Sequence, residues 1–311
     1  MVDVVRYEES HRKIWDKAVA AAKNGHFLVN RAYMDYHQQR FIDHSLMFYV
    51  NGHLTAILPA NLVGDRLCSH GGLTFGGLLF DAKQTVGGII EIFDALVAYC
   101  RDREIERILY KAMPHIYAET PAQEDLYALF RHNAVLVRRD VSSTIDQTNR
   151  VAYSKGTKYN ISKARKQRLV VTQNQDMTEF WALLGRVLSA RHGVIPVHSL
   201  EEISSLAAGF PENIALYEAR EASGKLLAGA VLYINRHVVH TQYLANSERG
   251  RAVGALDFLI GELIERFSER RFFDFGISTE QEGRVLNTGL ARHKEGFGAR
   301  AVVHDFYDIR V

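Results

Sequence analysis

Two histidines stand in sequence contexts that suit proton transfer. His70 lies in the segment SHGGLTFGG, and His240 lies in the apolar run VVHTQYLAN. Imidazole titrates near neutral pH, so either ring is a candidate general base. A lone histidine in a strand is more often a hydrogen-bonded core residue, and that interpretation stays open for both positions.

The glycine-rich segment around His70 predicts a place where another group approaches the backbone. Four glycines within seven residues leave the main chain uncovered, as happens at a bulge or beside a ligand. We favour a ligand-facing loop with hydrogen-bonding groups for a polar substrate. Its predicted substrate-binding residues are Ser69, Gly71 and Thr74.

Two further polar stretches predict substrate contacts. Arginine can bind a phosphate through two hydrogen bonds, and tyrosine can stack on a base. Both stretches would have the same composition if they were only solvated helix faces. The predicted substrate-binding residues are Arg31, Tyr36, His37 and Arg40 in the first stretch, and Tyr159 in the basic stretch SKGTKYNISKARK.

The composition is that of a globular protein without a strong overall electrostatic field. The 311 residues are 47% hydrophobic and 24% charged, and the formal net charge is +2. We therefore predict no nucleic-acid partner and no attraction to a membrane surface. Cys68 and Cys100 have no metal-ligand spacing, so we predict no metal site. A charged start and the lack of a long apolar run predict a cytoplasmic protein without a membrane span.

The first half reads as a mixed α/β unit. LMFYV and LTAILPANLV are strand-like and are joined by Asn51-Gly52, which favours a tight hairpin turn. Apolar residues spaced three and four apart then predict a long helix over 86–100. The strand ERILYKA, the helix EDLYALFRH and the strand AVLVRRDVSSTI follow.

The second half repeats this order. ENIALYEAR, LLAGAVLYIN and VVHTQYLAN read as three antiparallel strands, and apolar spacing predicts a helix over 256–267. The strand RFFDFGIS, the helix RVLNTGLARHKEG and the strand ARAVVHDFY complete it. The sequence therefore predicts two tandem α/β domains, 1–150 and 151–311, each a mixed, mostly antiparallel sheet flanked by helices. Alternation of this kind also occurs in other α/β proteins.

The second half resembles a GNAT (Gcn5-related N-acetyltransferase) domain, and the whole chain resembles the double-GNAT arrangement of Fem-type peptidoglycan-bridge transferases. The resemblance rests on VVHTQYLANSERGRAVGALDFLIGELI, RFFDFGIST, LNTGLARHKEGFGA and SKGTKYNISKARKQRLVV. FLVNRAYMDYHQQRFIDHSLMFYVNG and SHGGLTFGGLLF are similar to N-acyltransferases of surface-polysaccharide (lipopolysaccharide-type) pathways in bacteria. Those enzymes acylate an amino sugar carried on a nucleotide, and the likeness extends to enzymes of dTDP-3-amino-3,6-dideoxyhexoses.

The resemblance implies coenzyme A as the acyl carrier and a donor site in the second half. In GNAT domains the pyrophosphate rests on a glycine-containing helix start, where free N–H groups and the helix dipole face the anion. The match here is partial, because Leu256 replaces a small residue. The residues implied as cofactor-binding are Gln242, Tyr243, Arg249, Gly250, Arg251, Gly254 and Asn287.

The same resemblance implies two catalytic positions in the second half. His240 would lie where the strand VVHTQYLAN separates from its neighbour, and strand alternation would place Gln242 on its face and Tyr243 on the other. Lys294 stands where many GNAT enzymes have the tyrosine that protonates the leaving thiolate. A lysine there would act as a fixed cation, or it would be an ordinary solvated lysine near a helix end.

Together these features predict an N-acyltransferase that moves an acetyl or 3-hydroxybutyryl group from acyl-CoA to the amine of a nucleotide-linked amino sugar. The first domain would bind the acceptor and the second the acyl-CoA. Two alternatives remain: a Fem-type aminoacyltransferase that uses aminoacyl-tRNA, and a non-catalytic protein that binds nucleotides or sugars.

Overall fold

The chain forms two compact units in the computed structural model, which describes residues 1–311 except for the side chains of residues 37, 191 and 192. Unit 1 consists of Met1–Asp140, Thr279–Val285 and Val303–Val311, and unit 2 consists of Val141–Ser278 and Leu286–Val302. The first segment of unit 1 ends at Asp140, and the domain boundary at residue 150 stays a prediction. The end of the chain belongs to unit 1, because its last strand pairs with a strand of that unit.

The elements predicted for the first half occur in the predicted order, together with helices and short strands that were not predicted. Four short 3-10 turns lie at Glu9–His11, Phe27–Val29, Asp35–Arg40 and His115–Tyr117. The helices are α1 (Arg12–Ala21), α2 (Arg31–Met34), α3 (Val86–Arg101) and α4 (Glu124–Arg131). The strands are β1 (Val2–Arg6), β2 (Ile42–Asp43), β3 (Leu46–Val50), β4 (His53–Leu58), β5 (Asn61–Val63), β6 (Arg66–Cys68), β7 (Leu79–Phe80), β8 (Arg107–Lys111) and β9 (Val135–Asp146).

The second half contains more helices than the sequence patterns predict. The helices are α5 (Lys155–Arg165), α6 (Thr178–His192), α7 (Leu200–Gly209), α8 (Glu248–Val253), α9 (Ala255–Arg266) and α10 (Thr288–Glu295). The strands are β10 (Val170–Asn174), β11 (Ile214–Arg220), β12 (Leu226–Ile234), β13 (Val238–Asn246), β14 (Phe272–Ile277), β15 (Thr279–Glu280), β16 (Val285–Leu286) and β17 (Arg300–Arg310).

Unit 1 is built from two groups of strands. One is an antiparallel sheet in the order β1-β3-β4-β7. Its β3–β4 hairpin turns at Asn51 and Gly52, whose φ angles of 51° and 76° confirm the predicted turn. The other runs β17-β8-β6-β5-β2, in which β6 and β8 are parallel and the other described pairs are antiparallel. The buried face of α3 packs into the apolar core of this unit.

Unit 2 holds a sheet in the order β10-β11-β12-β13-β14-β9. β10 to β13 are antiparallel neighbours, and β13 and β14 are parallel. Eight of the twelve residues of α9 are buried, and the helix packs against β11 and β12 in the core. The predicted fold class, mixed α/β with mixed sheets flanked by helices, is confirmed.

The helix predicted from RVLNTGLARHKEG is shorter than expected. It begins at Thr288, because the side chain of Asn287 accepts a 3.0 Å hydrogen bond from the backbone N–H of Leu290 and caps the first turn. Val285 and Leu286 form a strand instead. No helix in the described part of the chain combines the length and apolar character needed to cross a membrane.

Candidate active site

The parallel pair β13 and β14 separates in the middle of the sheet. Their register runs Val238–Phe272, Val239–Phe273 and His240–Asp274 and ends there, although both strands continue. Parallel strands that part expose the unpaired N–H and C=O groups of their edges. An extended ligand with amide groups can pair with such an edge. His240 lies on the last residue pair before this split.

A bulge follows His240 on the other side of β13. Val231 of β12 pairs with Tyr243 and Leu232 pairs with Thr241, so Gln242 is an extra residue without a partner in the register. A bulge interrupts the regular alternation of side chains and leaves its extra residue outside the ladder. The predicted assignment of Gln242 and Tyr243 to opposite faces therefore does not follow from strand alternation here.

His240 makes a short contact with a buried carboxylate. Its Nδ1 lies 2.6 Å from Oδ2 of Asp274, and the side chains are 13% and 0% exposed. Oδ1 of Asp274 accepts hydrogen bonds of 2.6 Å from the hydroxyls of both Ser142 and Thr144. The backbone N–H of Gly276 donates to Oδ2 over 3.2 Å. Asp274, Ser142 and Thr144 were not predicted as site residues, although a carboxylate in the apolar run RFFDFGIS is a signal, because a buried charge requires partners.

Gly276 provides space for the imidazole of His240. Its φ is 75°, and a Cβ there would lie 3.1 Å from Cε1 of His240. The ammonium of Lys294 donates to the carbonyl oxygens of Gly276 and Ile277 over 2.8 and 2.7 Å. Lys294 is 3% exposed, and burial lowers its pKa to about 8, against the opposing effect of Asp274. The predicted cation is therefore a buried group that holds the end of β14.

The corresponding parallel pair of unit 1 is covered by its own chain. β6 and β8 pair through Cys68 and Leu109, and the backbone then continues as the segment Ser69–Gly77. The ammonium of Lys111 donates to the carbonyl oxygens of His70 and Leu73, and its backbone N–H donates to Oγ of Ser69 over 2.6 Å. Lys111 is 8% exposed, and burial lowers its pKa to about 8. Chain atoms therefore occupy the point at which unit 2 is split.

The predicted donor loop forms the start of α8 and α9. Ser247 caps α8 by accepting the N–H of Gly250 over 2.9 Å. A Cβ on Gly250 would lie 2.5 Å from the Leu227 carbonyl, and one on Gly254, where φ is 81°, would lie 2.6 Å from the Asn160 carbonyl. Packing within unit 2 therefore explains both glycines, and any contribution to anion binding would come from backbone N–H groups.

The two arginines of this loop are exposed and have partners within the chain. Nε of Arg249 lies 3.3 Å from a carboxylate oxygen of Glu221. Arg251 donates to the carbonyl oxygen of Asn246 over 3.0 Å. Exposed contacts of this kind are weak, so an anionic ligand can compete for both side chains.

Tyr243 belongs to an aromatic cluster. Its hydroxyl lies 2.5 Å from Nδ1 of His198, and its ring contacts that of Trp181 edge-on with 5.0 Å between centroids. Burial raises the pKa of Tyr243. Asn287, the other residue predicted to contact the donor, uses its side-chain oxygen to cap α10.

The predicted acceptor residues near the start of the chain do not form an open phosphate site. Arg31 is 4% exposed and forms ion pairs of 2.7 Å with Asp35 and 2.6 Å with Asp43. Its guanidinium also lies over the ring of Tyr7. A phosphate would have to displace these carboxylates. Tyr36 contacts the ring of Tyr33, Arg40 is exposed, and the side chain of His37 lies outside the described residues.

The remaining predicted acceptor residues differ in exposure. His70 is 2% exposed, has a φ of 49°, and its Nδ1 accepts the N–H of Gly72 over 3.3 Å. The N–H of Gly71 donates to Asn61 over 2.6 Å. Ser69 is buried, whereas Thr74 and Tyr159 are exposed. The structure therefore leaves Thr74 and Tyr159 accessible and encloses His70.

The comparisons with known proteins agree with the strand order. Residues 153–295 match the family model of the acetyltransferase (GNAT) domain. A search of curated proteins found no match.

Solved structures extend the similarity to the whole chain. FemX is 10% identical with a TM-score of 0.69, and the match covers 99% of this chain and 97% of FemX. The C-terminal domain of a putative lysylphosphatidylglycerol synthetase from Agrobacterium fabrum is 12% identical with a TM-score of 0.61, over 97% and 92% of the two chains. A tandem GNAT protein from the clavulanic acid pathway is 11% identical with a TM-score of 0.50, over 100% and 98%. Residues 153–295 thus match a GNAT acetyltransferase domain, the whole chain has a tandem GNAT-like fold, and the family match supports an acyltransferase enzyme.

Proposed function

We propose that the protein is an acyl-CoA-dependent N-acyltransferase whose donor binds at the split between β13 and β14. The observation that carries this proposal is the position of His240, which is the last residue of β13 that pairs with β14. An imidazole at that point lies beside the strand edges with which the amides of pantetheine can pair. The proposed reaction is acid–base chemistry between a thioester and an amine, and it includes no metal.

His240 acts as the base in the proposed reaction. Its Nε2 takes a proton from the ammonium form of the acceptor, and the neutral nitrogen forms a bond to the thioester carbonyl carbon. The carbonyl π electrons move to oxygen, where backbone N–H groups near the Gln242 bulge supply hydrogen bonds. When the carbonyl reforms, the C–S bond breaks and CoA leaves as a thiolate. The second nitrogen proton protonates that sulfur, and the imidazolium returns its proton to solvent.

The contrast between the two parallel strand pairs supports one donor site for each chain. In unit 2 the split follows His240, whereas in unit 1 the segment Ser69–Gly77 covers the corresponding point. We therefore assign acyl-CoA binding to unit 2 and retain acceptor binding as the proposed role of unit 1. The diphosphate of CoA would bind at the donor loop, with Arg249 and Arg251 as its cations.

The proposed acceptor is the amine of a nucleotide-linked amino sugar, such as a dTDP-3-amino-3,6-dideoxyhexose, acylated with an acetyl or 3-hydroxybutyryl group in the cytoplasm. Sequence resemblance alone supports this choice. Because Arg31 is committed to two carboxylates, exposed residues such as Arg40 and Tyr159 would have to contact the nucleotide.

A Fem-type aminoacyltransferase is the second candidate, and the similarity to FemX over almost the whole chain favours it. Such an enzyme would bind aminoacyl-tRNA, and the formal net charge of +2 provides no overall attraction for RNA. Release of amino acid from aminoacyl-tRNA, with no release of thiol from acyl-CoA, would favour this candidate.

Thiol release tests the first candidate directly. Purified protein is mixed with acetyl-CoA or 3-hydroxybutyryl-CoA and a panel of amines that includes amino-sugar nucleotides, and free CoA is measured with a thiol reagent. The proposal predicts thiol release that depends on the amine and a mass increase of the amine by one acyl group. If neither CoA nor acyl-CoA binds in calorimetry, the donor assignment is wrong. Binding without transfer to any amine would instead favour a non-catalytic ligand-binding protein.

A further inference from the structure

The carboxylate of Asp274 is fully enclosed and accepts hydrogen bonds at both oxygens. Ser142 and Thr144 donate to Oδ1, and Gly276 donates to Oδ2. The fourth contact is the 2.6 Å approach of Nδ1 of His240 to Oδ2. An ionised carboxylate can only accept hydrogen bonds, so with Asp274 ionised the proton of this contact belongs to Nδ1.

A proton on Nδ1 determines the chemistry of the opposite nitrogen. In a neutral imidazole one nitrogen is a donor and the other an acceptor, and the hydrogen bond of one fixes the role of the other. Nε2 of His240 therefore carries the lone pair that a base requires. This nitrogen lies on the side of Gly276, 3.7 Å from where a Cβ of that residue would be.

The strands explain how Asp274 keeps its orientation. Ser142 and Thr144 are two residues apart on β9, so their side chains project from the same face of the strand. Thr144 is the register partner of Asp274, and Ser142 is the partner of Ile277 beyond a bulge in β14. Lys294 holds the carbonyl oxygens of Gly276 and Ile277 within this bulge. The described groups around Asp274 thus include two hydroxyls and one backbone N–H, and the buried ammonium of Lys294 interacts with its charge.

We propose that Asp274 is a positioning residue that fixes His240 in the tautomer with a proton on Nδ1, and that Ser142 and Thr144 keep its carboxylate oriented for this purpose. The inference rests on the proposed function, because it gives the tautomer a role in removing a proton from the acceptor. The tautomer itself is a property of the folded chain without substrate.

Nitrogen NMR of the uniformly ¹⁵N-labelled chain measures the tautomer without activity. The His240→Gln spectrum identifies the His240 signals by their loss. In the wild type, Nδ1 is expected to show the chemical shift of a protonated nitrogen and Nε2 that of an unprotonated one. Asp274→Asn should reverse the two, because the amide N–H of asparagine can donate to Nδ1. A wild-type His240 with its proton on Nε2 would overturn the proposal.

Kinetics test whether the tautomer matters for transfer. Asp274→Asn should lower kcat by about 10²-fold to 10⁴-fold and leave the KM for acyl-CoA within about twofold. The dependence of kcat on pH should also change, because Nε2 would then carry a proton in the neutral ring. Asp125→Asn is the matched control, since Asp125 is also a buried aspartate, bonded to the Tyr110 hydroxyl over 2.7 Å in unit 1. It should keep the pH profile.

Substitution of one hydroxyl donor provides a test that remains valid if Asp274→Asn fails to fold. Thr144→Val removes one donor to Oδ1 and should lower kcat by about tenfold, whereas Thr144→Ser keeps the hydroxyl and should restore it. Equal activity of the two variants would overturn the role of Thr144. The two proposals can fail separately. If Nδ1 of His240 carries the proton but the chain transfers no acyl group, the positioning role of Asp274 stands and the proposed function is refuted.

Discussion

The ammonium of Lys294 donates a 2.8 Å hydrogen bond to the carbonyl oxygen of Gly276, the residue whose missing side chain makes room for the imidazole of His240. Lys294 therefore holds the backbone segment that lies beside the imidazole of the candidate base. The sequence resemblance implied a cation beside the leaving thiolate, and the structure shows a cation whose hydrogen bonds are made to the main chain.

Burial of Lys294 predicts a specific dependence of stability on pH. Its pKa is about 8 in the folded chain and 10.5 ordinarily, so the unfolded chain binds more protons between these values. The free energy of unfolding should therefore gain about 3 kcal/mol from this residue as the pH rises from 8 to 10.5. Below pH 8 the charged lysine carries its full burial cost. In urea denaturation across this pH range, the free energy of unfolding of Lys294→Met should rise less than that of the wild type.

Lys111 supplies the matched variant for that measurement. Its pKa is also about 8, and it lies in unit 1. Lys111→Met should reduce the rise in the free energy of unfolding between pH 8 and 10.5 by a similar amount. Wild-type and variant stabilities that change in parallel with pH would contradict the burial of these ammonium groups.

His240→Asn should lower kcat/KM by about a hundredfold or more, because it removes the proposed base. His70→Asn should not do so, since His70 is 2% exposed and faces the backbone of its own loop. Both variants are compared by thiol release across pH, with calorimetry to show that acyl-CoA still binds. A large loss in His70→Asn alone would transfer the role of base to His70.

Gly254→Ala should destabilise the chain by about 2 kcal/mol or more. The position has a φ of 81°, and a Cβ there would lie 2.6 Å from the carbonyl oxygen of Asn160. Gly185→Ala is the control, because Gly185 lies within α6 and has no atom within 4 Å of its Cβ position. Alanine there should stabilise the helix by about 0.5–1 kcal/mol. Chemical denaturation that finds equal effects would contradict the packing of α8 and α9.

Arg31→Met should lower the free energy of unfolding by about 1.5–3 kcal/mol, because it removes the buried guanidinium that pairs with Asp35 and Asp43, although Asp35 keeps its ion pair with Arg12. Arg40→Met, at an exposed position, should cost at most about 1 kcal/mol. Urea denaturation of both variants makes the comparison. An Arg31→Met chain with normal stability and a raised KM for the acceptor would restore Arg31 as a substrate ligand.

Cys68→Ala and Cys100→Ala should both retain turnover, because direct attack of the amine needs no thiol nucleophile. Burial raises the pKa of Cys100 to about 12, so its reactive thiolate is absent at neutral pH. Complete loss of activity in a folded variant, assayed by thiol release, would indicate a covalent intermediate instead.

Strand and helix patterns predicted most of the fold. The run VVHTQYLAN is β13 without a shift at either end, and the helix predicted over 256–267 differs from α9 by one residue at each end. Local periodicity sufficed there, because those segments bury one face. The sequence patterns did not predict α6 and α7. They also could not predict the bulge at Gln242, because a bulge depends on how β13 pairs with β12 and not on the sequence of β13 alone.

The candidate site was predicted only in part. His240 was chosen for its residue type, but its partner Asp274 lies 34 positions away, and the hydroxyl donors Ser142 and Thr144 lie 132 and 130 positions before Asp274. Such contacts depend on which strands become neighbours. Close packing within unit 2 already requires glycine at 250 and 254, and their role in phosphate binding stays a prediction. Arg31 had the right chemistry for a phosphate, yet two carboxylates are its partners.

The most direct measurement is a crystal structure of the chain with a hydrolysis-resistant acyl-CoA analogue. We expect the pantetheine to lie between β13 and β14 beyond residue pair His240–Asp274, with the carbonyl of the analogue beside the His240 imidazole and the diphosphate at the start of α8 and α9. A donor bound at β6 and β8 of unit 1, or a gap between β13 and β14 that remains filled by protein, would contradict the account.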